Sequence, residues 1–285
     1  MANHDSASDS QTTRPAIPRL AILGTGNIGR ALACGLVASG RYAASDVILT
    51  RRNVDRLADL ADQGFTVLDD NRQATRQAST VVVAVEPLQL NGVLREIRED
   101  LDPEVHVVLS VVSGASIAAM QAQIDKAIPV ARAMPNTAVA LRQSMTCLAA
   151  RPGDDRALGR AREVFDQVGM TVAIDEEKMV PATALCACGL AFFLRSVRAA
   201  SQGGIEIGFH PEDALTMAAQ TALGAAALVL DRGRHPEREI DAVTTPRGCT
   251  IAGLNEMEHQ GFSSAMIKGI VTSAIKADSL YTRDD

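Results

Sequence analysis

With 285 residues, the chain is long enough for one large domain or two ordinary ones, and for a sizeable buried core. Its 47 % hydrophobic and 22 % charged residues are those of a globular protein, and a net charge of -6 argues against nucleic acid, which rewards basic surfaces. No apolar run approaches the roughly 20 residues of a membrane span, so no membrane partner is expected.

The start, MANHDSASDSQTTRP, has no apolar core and is not a secretory signal; residues 1–16 are expected to be a disordered tail. From there, strand-like and helix-like stretches alternate. Arg19–Leu23, Val47–Thr50, Phe65–Leu68, Thr80–Val85, His106–Val111 and Pro129–Arg132 read as strands. Ile28–Ser39, Val54–Asp62 and Arg72–Gln77 read as helices between them. The alternation predicts βαβ units and a mostly parallel sheet, and the nearly continuous apolar strands predict cover on both faces. After about Asp175 the β-branched runs thin out, and Glu176–Ile205, Pro211–Asp231 and Ser263–Leu280 read as helices. Gly203-Gly204 and Gly208 are expected to break the first from the second. The expected architecture is an α/β Rossmann-type dinucleotide-binding domain over residues 17–175, followed by an all-α dimerisation and substrate domain over 176–285. The helices are apolar on more than one face, Ala218–Leu230 above all, which is the pattern of helices buried between subunits or deep within one.

Five cysteines do not make a disulfide framework, and a cytoplasmic setting is expected. Cys186 and Cys188 have no second Cys/His cluster beside them, so they read as small core residues and no metal is expected.

Leu20–Leu23 runs into Gly24-Thr25-Gly26-Asn27-Ile28-Gly29, a G-x-G-x-x-G placed after a strand and at a helix start. In that context it predicts a dinucleotide site. Gly24 permits the tight turn, Gly26 lets pyrophosphate near the backbone, and Gly29 lets the helix pack close to the strand. The second strand ends in Thr50-Arg51-Arg52-Asn53, with no carboxylate for a ribose 2′-hydroxyl and two guanidiniums that suit a 2′-phosphate. NADPH is therefore the expected cofactor, with NADH as the alternative. Glu86 follows the apolar run of residues 81–85, which places a carboxylate at the cofactor crevice.

Four segments in this order carry a resemblance: Gly24–Gly29, Ala84-Val85-Glu86-Pro87, Arg132-Ala133-Met134-Pro135-Asn136-Thr137, and Val243-Thr244-Thr245-Pro246-Arg247-Gly248-Cys249-Thr250-Ile251. From about Pro18 to Leu280 the sequence resembles the pyrroline-5-carboxylate reductases, which end proline biosynthesis. The resemblance implies reduction of the C=N bond of a five-membered cyclic imine that carries a carboxylate. It also implies an interlocked homodimer, often assembled into decamers. Ala84, Val85, Glu86 and Pro87 would then line the cofactor, Met134, Pro135 and Asn136 the nicotinamide side, and Asn71 the adenosine end. A helix cap for Arg72–Gln77 stands as the other reading of Asn71. The substrate carboxylate would meet the backbone N–H groups of Gly248, Cys249 and Thr250 at a helix start, with the Thr250 hydroxyl, the candidate catalytic group, donating another bond.

Several positions depart from the family's usual residues. Glu86 stands where Lys is usual, Cys186-Ala187-Cys188-Gly189-Leu190-Ala191-Phe192 replaces S-G-S-G-P-A-Y, and Arg247 adds a cation beside the proposed carboxylate anchor. These leave two alternatives to a plain reductase: a different cyclic imine, or a cofactor-binding paralogue with a regulatory role and little catalysis.

Overall fold

Four-residue strands buried at every position need cover above and below, and the architecture supplies it. The computed structural model describes residues 19–279; the tail expected over 1–16 and the helix end expected at Leu280 lie outside them. The first elements are β1 (Leu20–Leu23), α1 (Asn27–Ala38), β2 (Val47–Thr50), α2 (Ala58–Asp62), β3 (Thr66–Leu68), α3 (Asn71–Arg76) and β4 (Thr80–Val83). Then come α4 (Leu90–Ile97), β5 (Val107–Ser110), α5 (Ile117–Ile124), β6 (Val130–Met134), β7 (Ser144–Ala150), α6 (Asp155–Phe165) and β8 (Gly169–Ala173). Helices follow: α7 (Met179–Ala182), α8 (Gly189–Glu206), α9 (Pro211–Arg232), α10 (Pro236–Val243), α11 (Cys249–His259) and α12 (Phe262–Asp278).

The strands form one sheet in the order β3-β2-β1-β4-β5-β6-β7-β8. Strands β1 to β6 run parallel, and the pair β7–β8 runs parallel to itself but antiparallel to β6. Alternate residues of β1 divide between two apolar clusters, Leu20 and Ile22 on one side and Ala21 and Leu23 on the other. This is the period-2 pattern of a sheet covered on both faces. The chain order reverses direction between β1 and β4, so the crevice at the carboxyl ends of those strands is where an open α/β sheet binds ligands.

The unforeseen elements at this end of the sheet are β7, α6 and β8. β7 reads Ser-Met-Thr-Cys-Leu-Ala-Ala, mixed in polarity, and β8 has no buried position, so neither gives the apolar run that marked the inner strands. The predicted helix from Glu176 to Ile205 is a composite: a short 3₁₀ turn, α7, a π-helical turn over Thr183–Cys188, then α8. Gly203-Gly204 does not break it. Both lie inside α8, and a Cβ on Gly204 would sit 3.0 Å from the Ala214 Cβ, so this glycine lets α8 and α9 approach closely. The break falls at Gly208, with φ +109.

The expectation drawn from apolar run length is also corrected. Glu176–Glu206 and Pro211–Asp231 are long and apolar enough to cross a membrane by length and composition. Interspersed Gly, Ser, Thr and Gln residues hide this in a count of uninterrupted runs, though the average is apolar. Within one chain only 22 % of the most apolar 18-residue stretch of the first, and 6 % of that of the second, is buried. Helix faces that meet another subunit have the same character.

Candidate functional site

A cleft of about 740 Å³ opens at the carboxyl ends of the strands. Its wall is made of Gly24, Thr25 and Gly26 after β1, Thr50, Arg51, Arg52 and Asn53 after β2, Asn71 at the start of α3, and Ala84, Val85 and Glu86 after β4. Asn27, Ile28 and Gly29 form the first turn of α1 behind the glycine loop, and Pro87 begins the 3₁₀ turn behind Glu86.

The loop has the shape an anion requires. Gly24 holds φ +87, and a Cβ there would lie 2.9 Å from the Ala84 carbonyl oxygen, so no other residue fits without movement. A Cβ on Gly26 would meet nothing within 4 Å; the space it faces is open to a ligand. No side chain caps α1, which leaves its first N–H groups to whatever enters. The Thr25 hydroxyl is fully buried and, among the described residues, has no hydrogen-bond partner. An orphaned donor beside an uncapped helix start fits a bound phosphate.

The two arginines after β2 separate in role. Arg51 folds back, its Nη1 donating to the Thr25 carbonyl at 2.8 Å, and so braces the glycine loop. Arg52 is exposed and, among the described residues, pairs with nothing. Asn71 is not the cap of α3; Asp70 is, its carboxylate accepting from the Gln73 N–H at 3.0 Å. Asn71 instead accepts from the Thr50 hydroxyl at 2.7 Å and donates to Glu96 at 3.0 Å. It ties the ends of β2 and α4 together across the cleft. Glu96, Arg56, Gln89, Gly92 and Val93 also line it and were not singled out from the sequence. The signal available for Glu96 was its place one helix turn past Gly92 on α4.

Glu86 is exposed on the cleft wall. Among the described residues it makes no ion pair with Arg247, so the cation that Arg247 adds does not offset the Glu86 charge within the chain.

Met134, Pro135 and Asn136 do not line the cleft, but they leave β6 at the same edge of the parallel sheet. The Asn136 amide donates to the Cys186 carbonyl in the π-helical turn at 2.9 Å. Nearby, Ser113, in the loop after β5 and missed in the sequence, contacts the Met134 sulfur at 4.0 Å. A part-buried latch secures this junction. Arg132 on β6 reaches Glu176 at 3.3 Å, and the same carboxylate oxygen accepts from the Ile117 N–H at 2.6 Å. Burial pulls the Arg132 guanidinium below its usual range, against the support of the Glu176 charge. Its Nε and Nη2 have no partner among the described residues.

Residues 247–250 also lie away from the cleft lining. The Gly248 N–H donates to the Thr245 carbonyl at 2.9 Å, closing a turn with Pro246 at its second position. Arg247 occupies the third at φ +58, the place of a type II turn that favours glycine. Gly248 then starts α11, which no side chain caps, with Cys249 exposed and Thr250 half-exposed in its first turn.

Two family models match the chain. Residues 19–114 match one described as NADP oxidoreductase coenzyme F420-dependent, and residues 176–280 match one described as pyrroline-5-carboxylate reductase dimerisation. A relative from Dictyostelium discoideum, pyrroline-5-carboxylate reductase 1, is 53 % identical over 93 % of the chain, which spans about half (50 %) of that relative's length. Pyrroline-5-carboxylate reductase 2 of the same organism is 45 % identical, with 90 % of this chain and 91 % of the relative covered. A solved structure of a pyrroline-5-carboxylate reductase from Coxiella burnetii superposes with a TM-score of 0.83 at 27 % identity, covering 93 % of this chain and 99 % of that one.

Proposed function

Because the chain belongs to the pyrroline-5-carboxylate reductase family, we propose that it reduces pyrroline-5-carboxylate to proline with NADPH, the last step of proline biosynthesis. The observation that carries the cofactor half is the cleft at the β1/β4 switch point, with its orphaned Thr25 hydroxyl and uncapped α1. NADPH supplies the hydride when bound. The chain's own work is to hold and orient. Gly24, Thr25, Gly26 and the first turn of α1, Asn27 to Gly29, take the pyrophosphate, and Arg52 takes the 2′-phosphate. Arg51 fixes the loop, and Asn71 fixes the adenosine end. Ala84, Val85, Glu86 and Pro87 form the wall beyond, and Met134, Pro135 and Asn136 face the nicotinamide.

The substrate carboxylate rests on the N–H groups of Gly248, Cys249 and Thr250 at the start of α11, with Arg247 and the Thr250 hydroxyl as further donors. A protonated imine accepts hydride readily, so holding two molecules in register supplies most of the catalysis. Glu86 favours a second reading, a different cyclic imine, because it sets a carboxylate on the wall where the family usually has Lys. Following NADPH absorbance with a panel of cyclic imines decides between them. Pyrroline-5-carboxylate should give the highest kcat/KM; a faster six-membered imine, or no turnover, overturns the first reading.

Cofactor choice gives a sharper test. Arg52→Ala removes a charge-assisted contact worth about 1.5–3 kcal/mol, so the KM for NADPH should rise about 10- to 150-fold with that for NADH unchanged. Arg51→Ala loosens the glycine loop and should weaken both cofactors together. The reverse pattern removes the assignment.

Arg247→Gly should be tolerated or stabilising by up to about 1 kcal/mol, because it relieves a left-handed backbone. It should nonetheless raise the KM for the imino acid about tenfold. A thermal melt and steady-state kinetics on the same variant separate the two effects.

The apolar faces of α8 and α9 pack against a second copy, giving a homodimer from which larger rings such as decamers are built. Light scattering at micromolar concentration should find no monomer. The sparse, unpaired cysteine usage supports a reducing, cytoplasmic setting.

A further inference from the structure

One pair of side chains joins the sheet to the helical half and has no part in the reduction just described. Cys147 lies on β7, 5 % exposed, and Cys186 lies half-buried in the π-helical turn. Their sulfurs are 3.8 Å apart. Both belong to a small apolar cluster with Met134, Ala149, Met179 and Ala182 that packs β6 and β7 against α7. We propose that Cys147 and Cys186 form an oxidisable dithiol, closed to a disulfide by a peroxide, that staples the helical half to the sheet and lowers turnover.

The geometry demands little. A disulfide needs a sulfur separation of about 2.05 Å, which one side-chain rotation and a small backbone shift can supply. The shift is available on one side only. β7 is held between β6 and β8, whereas a π-helical turn carries an extra residue and changes register easily. Exposure assigns the order of events, since Cys186 meets solvent and Cys147 does not. A hydrogen bond from the Cys147 thiol draws the Cys186 thiol down to about 7, which makes its thiolate available near neutral pH. Facing that thiolate, the Cys147 thiol is pushed well above its ordinary range, first by the same hydrogen bond and then by burial.

The chemistry balances. The Cys186 thiolate attacks a peroxide oxygen, the O–O bond breaks, and a sulfenic acid and hydroxide are left. Cys147 then attacks the sulfenic sulfur, the S–O bond breaks, and its proton leaves with the departing hydroxide as water. Two thiols lose two electrons and hydrogen peroxide becomes two waters. Cys188, two residues along, is half-exposed but makes no such contact among the described residues.

The link to turnover runs through Asn136, whose amide is held by the Cys186 carbonyl. Drawing Cys186 towards β7 disturbs that bond, and this consequence rests on the reading of Met134–Asn136 as the nicotinamide side. Loss of one such bond corresponds to about a two- to tenfold fall in kcat.

The test starts with the full wild-type chain, treated with stoichiometric hydrogen peroxide, alkylated, digested and mapped by mass spectrometry. The expected product links the Cys147 and Cys186 peptides with loss of two hydrogens. Dithiothreitol should reverse it, and Cys188→Ser should form it unchanged. A linkage through Cys188 or Cys249, or Cys186 carried to the sulfinic acid with Cys147 still alkylatable, overturns the proposal. A mapped disulfide with undiminished kcat overturns the control of turnover. The mapping stands apart from the assigned reaction: if the reduced chain turns over no cyclic imine, the functional reading fails while the disulfide is still found or not found.

Discussion

Glu176→Ala should destabilise the folded chain by about 3 kcal/mol, the lower end of what removing one partner of a buried ion pair costs. The lower end applies because Glu176 is 30 % exposed and water partly replaces it, whereas Arg132 is left 5 % exposed with an unpaired charge. The Ile117 N–H at the start of α5 loses its acceptor in the same step. Arg132→Met combined with Glu176→Leu removes both charges and should cost less than Glu176→Ala alone. Urea unfolding at one fixed protein concentration measures both variants against the wild-type chain. A loss below about 1 kcal/mol for Glu176→Ala would put the pair among ordinary surface ion pairs. On the proposed placement of Met134 beside the nicotinamide, two residues along β6 from Arg132, the variant should also lose cofactor affinity before it unfolds.

Gly35→Ala should be nearly as damaging, although Ala is the better helix former. A Cβ on Gly35 would overlap the Val139 carbonyl oxygen and lie 2.9 Å from its carbon and 3.1 Å from a Val168 methyl. Most of what it meets is backbone, so the turn over Thr137–Leu141 must move. Overpacking of this kind costs about 1–3 kcal/mol, and the gain in helix propensity returns at most about 1 kcal/mol of it. Gly26→Ala is the contrast. Its Cβ would meet no atom within 4 Å, so the fold should keep its stability while cofactor affinity falls. Melting curves with and without NADPH distinguish the two: Gly35→Ala lowers both, and Gly26→Ala removes only the shift the cofactor produces.

The difference between these glycines also shows what the sequence makes legible. Gly26 announces itself because its neighbours in the chain, a strand before and a helix after, complete the pattern it belongs to. Gly35 sits in an unremarkable helix, and its constraint comes from a loop about a hundred residues away. The inner strands are legible for the same local reason: each is an apolar run whose cover is assured on both sides. β8 lies at the sheet edge, where exposure dilutes the pattern, and β7 sets Ser144 and Thr146 at buried positions, which breaks its apolar run. Arg51 and Arg52 look alike in the chain and differ only in what each can reach. Asn71 looks like a cap because it begins a helix, but Asp70 performs that task one residue earlier and leaves Asn71 to bridge Thr50 and Glu96.

Helix α9 has only 6 % of its most apolar 18-residue stretch covered within the chain. A surface that is hidden only by a partner makes folding a matter of mass action. For a protomer that unfolds on separation, each tenfold dilution removes about 1.4 kcal/mol from the stability of the assembled pair. For such a protomer no single melting temperature exists. Its resistance to heat, to proteases and to substitution rises and falls with how much of it a cell makes. A mutation that is silent at high expression becomes a loss of function when expression is low.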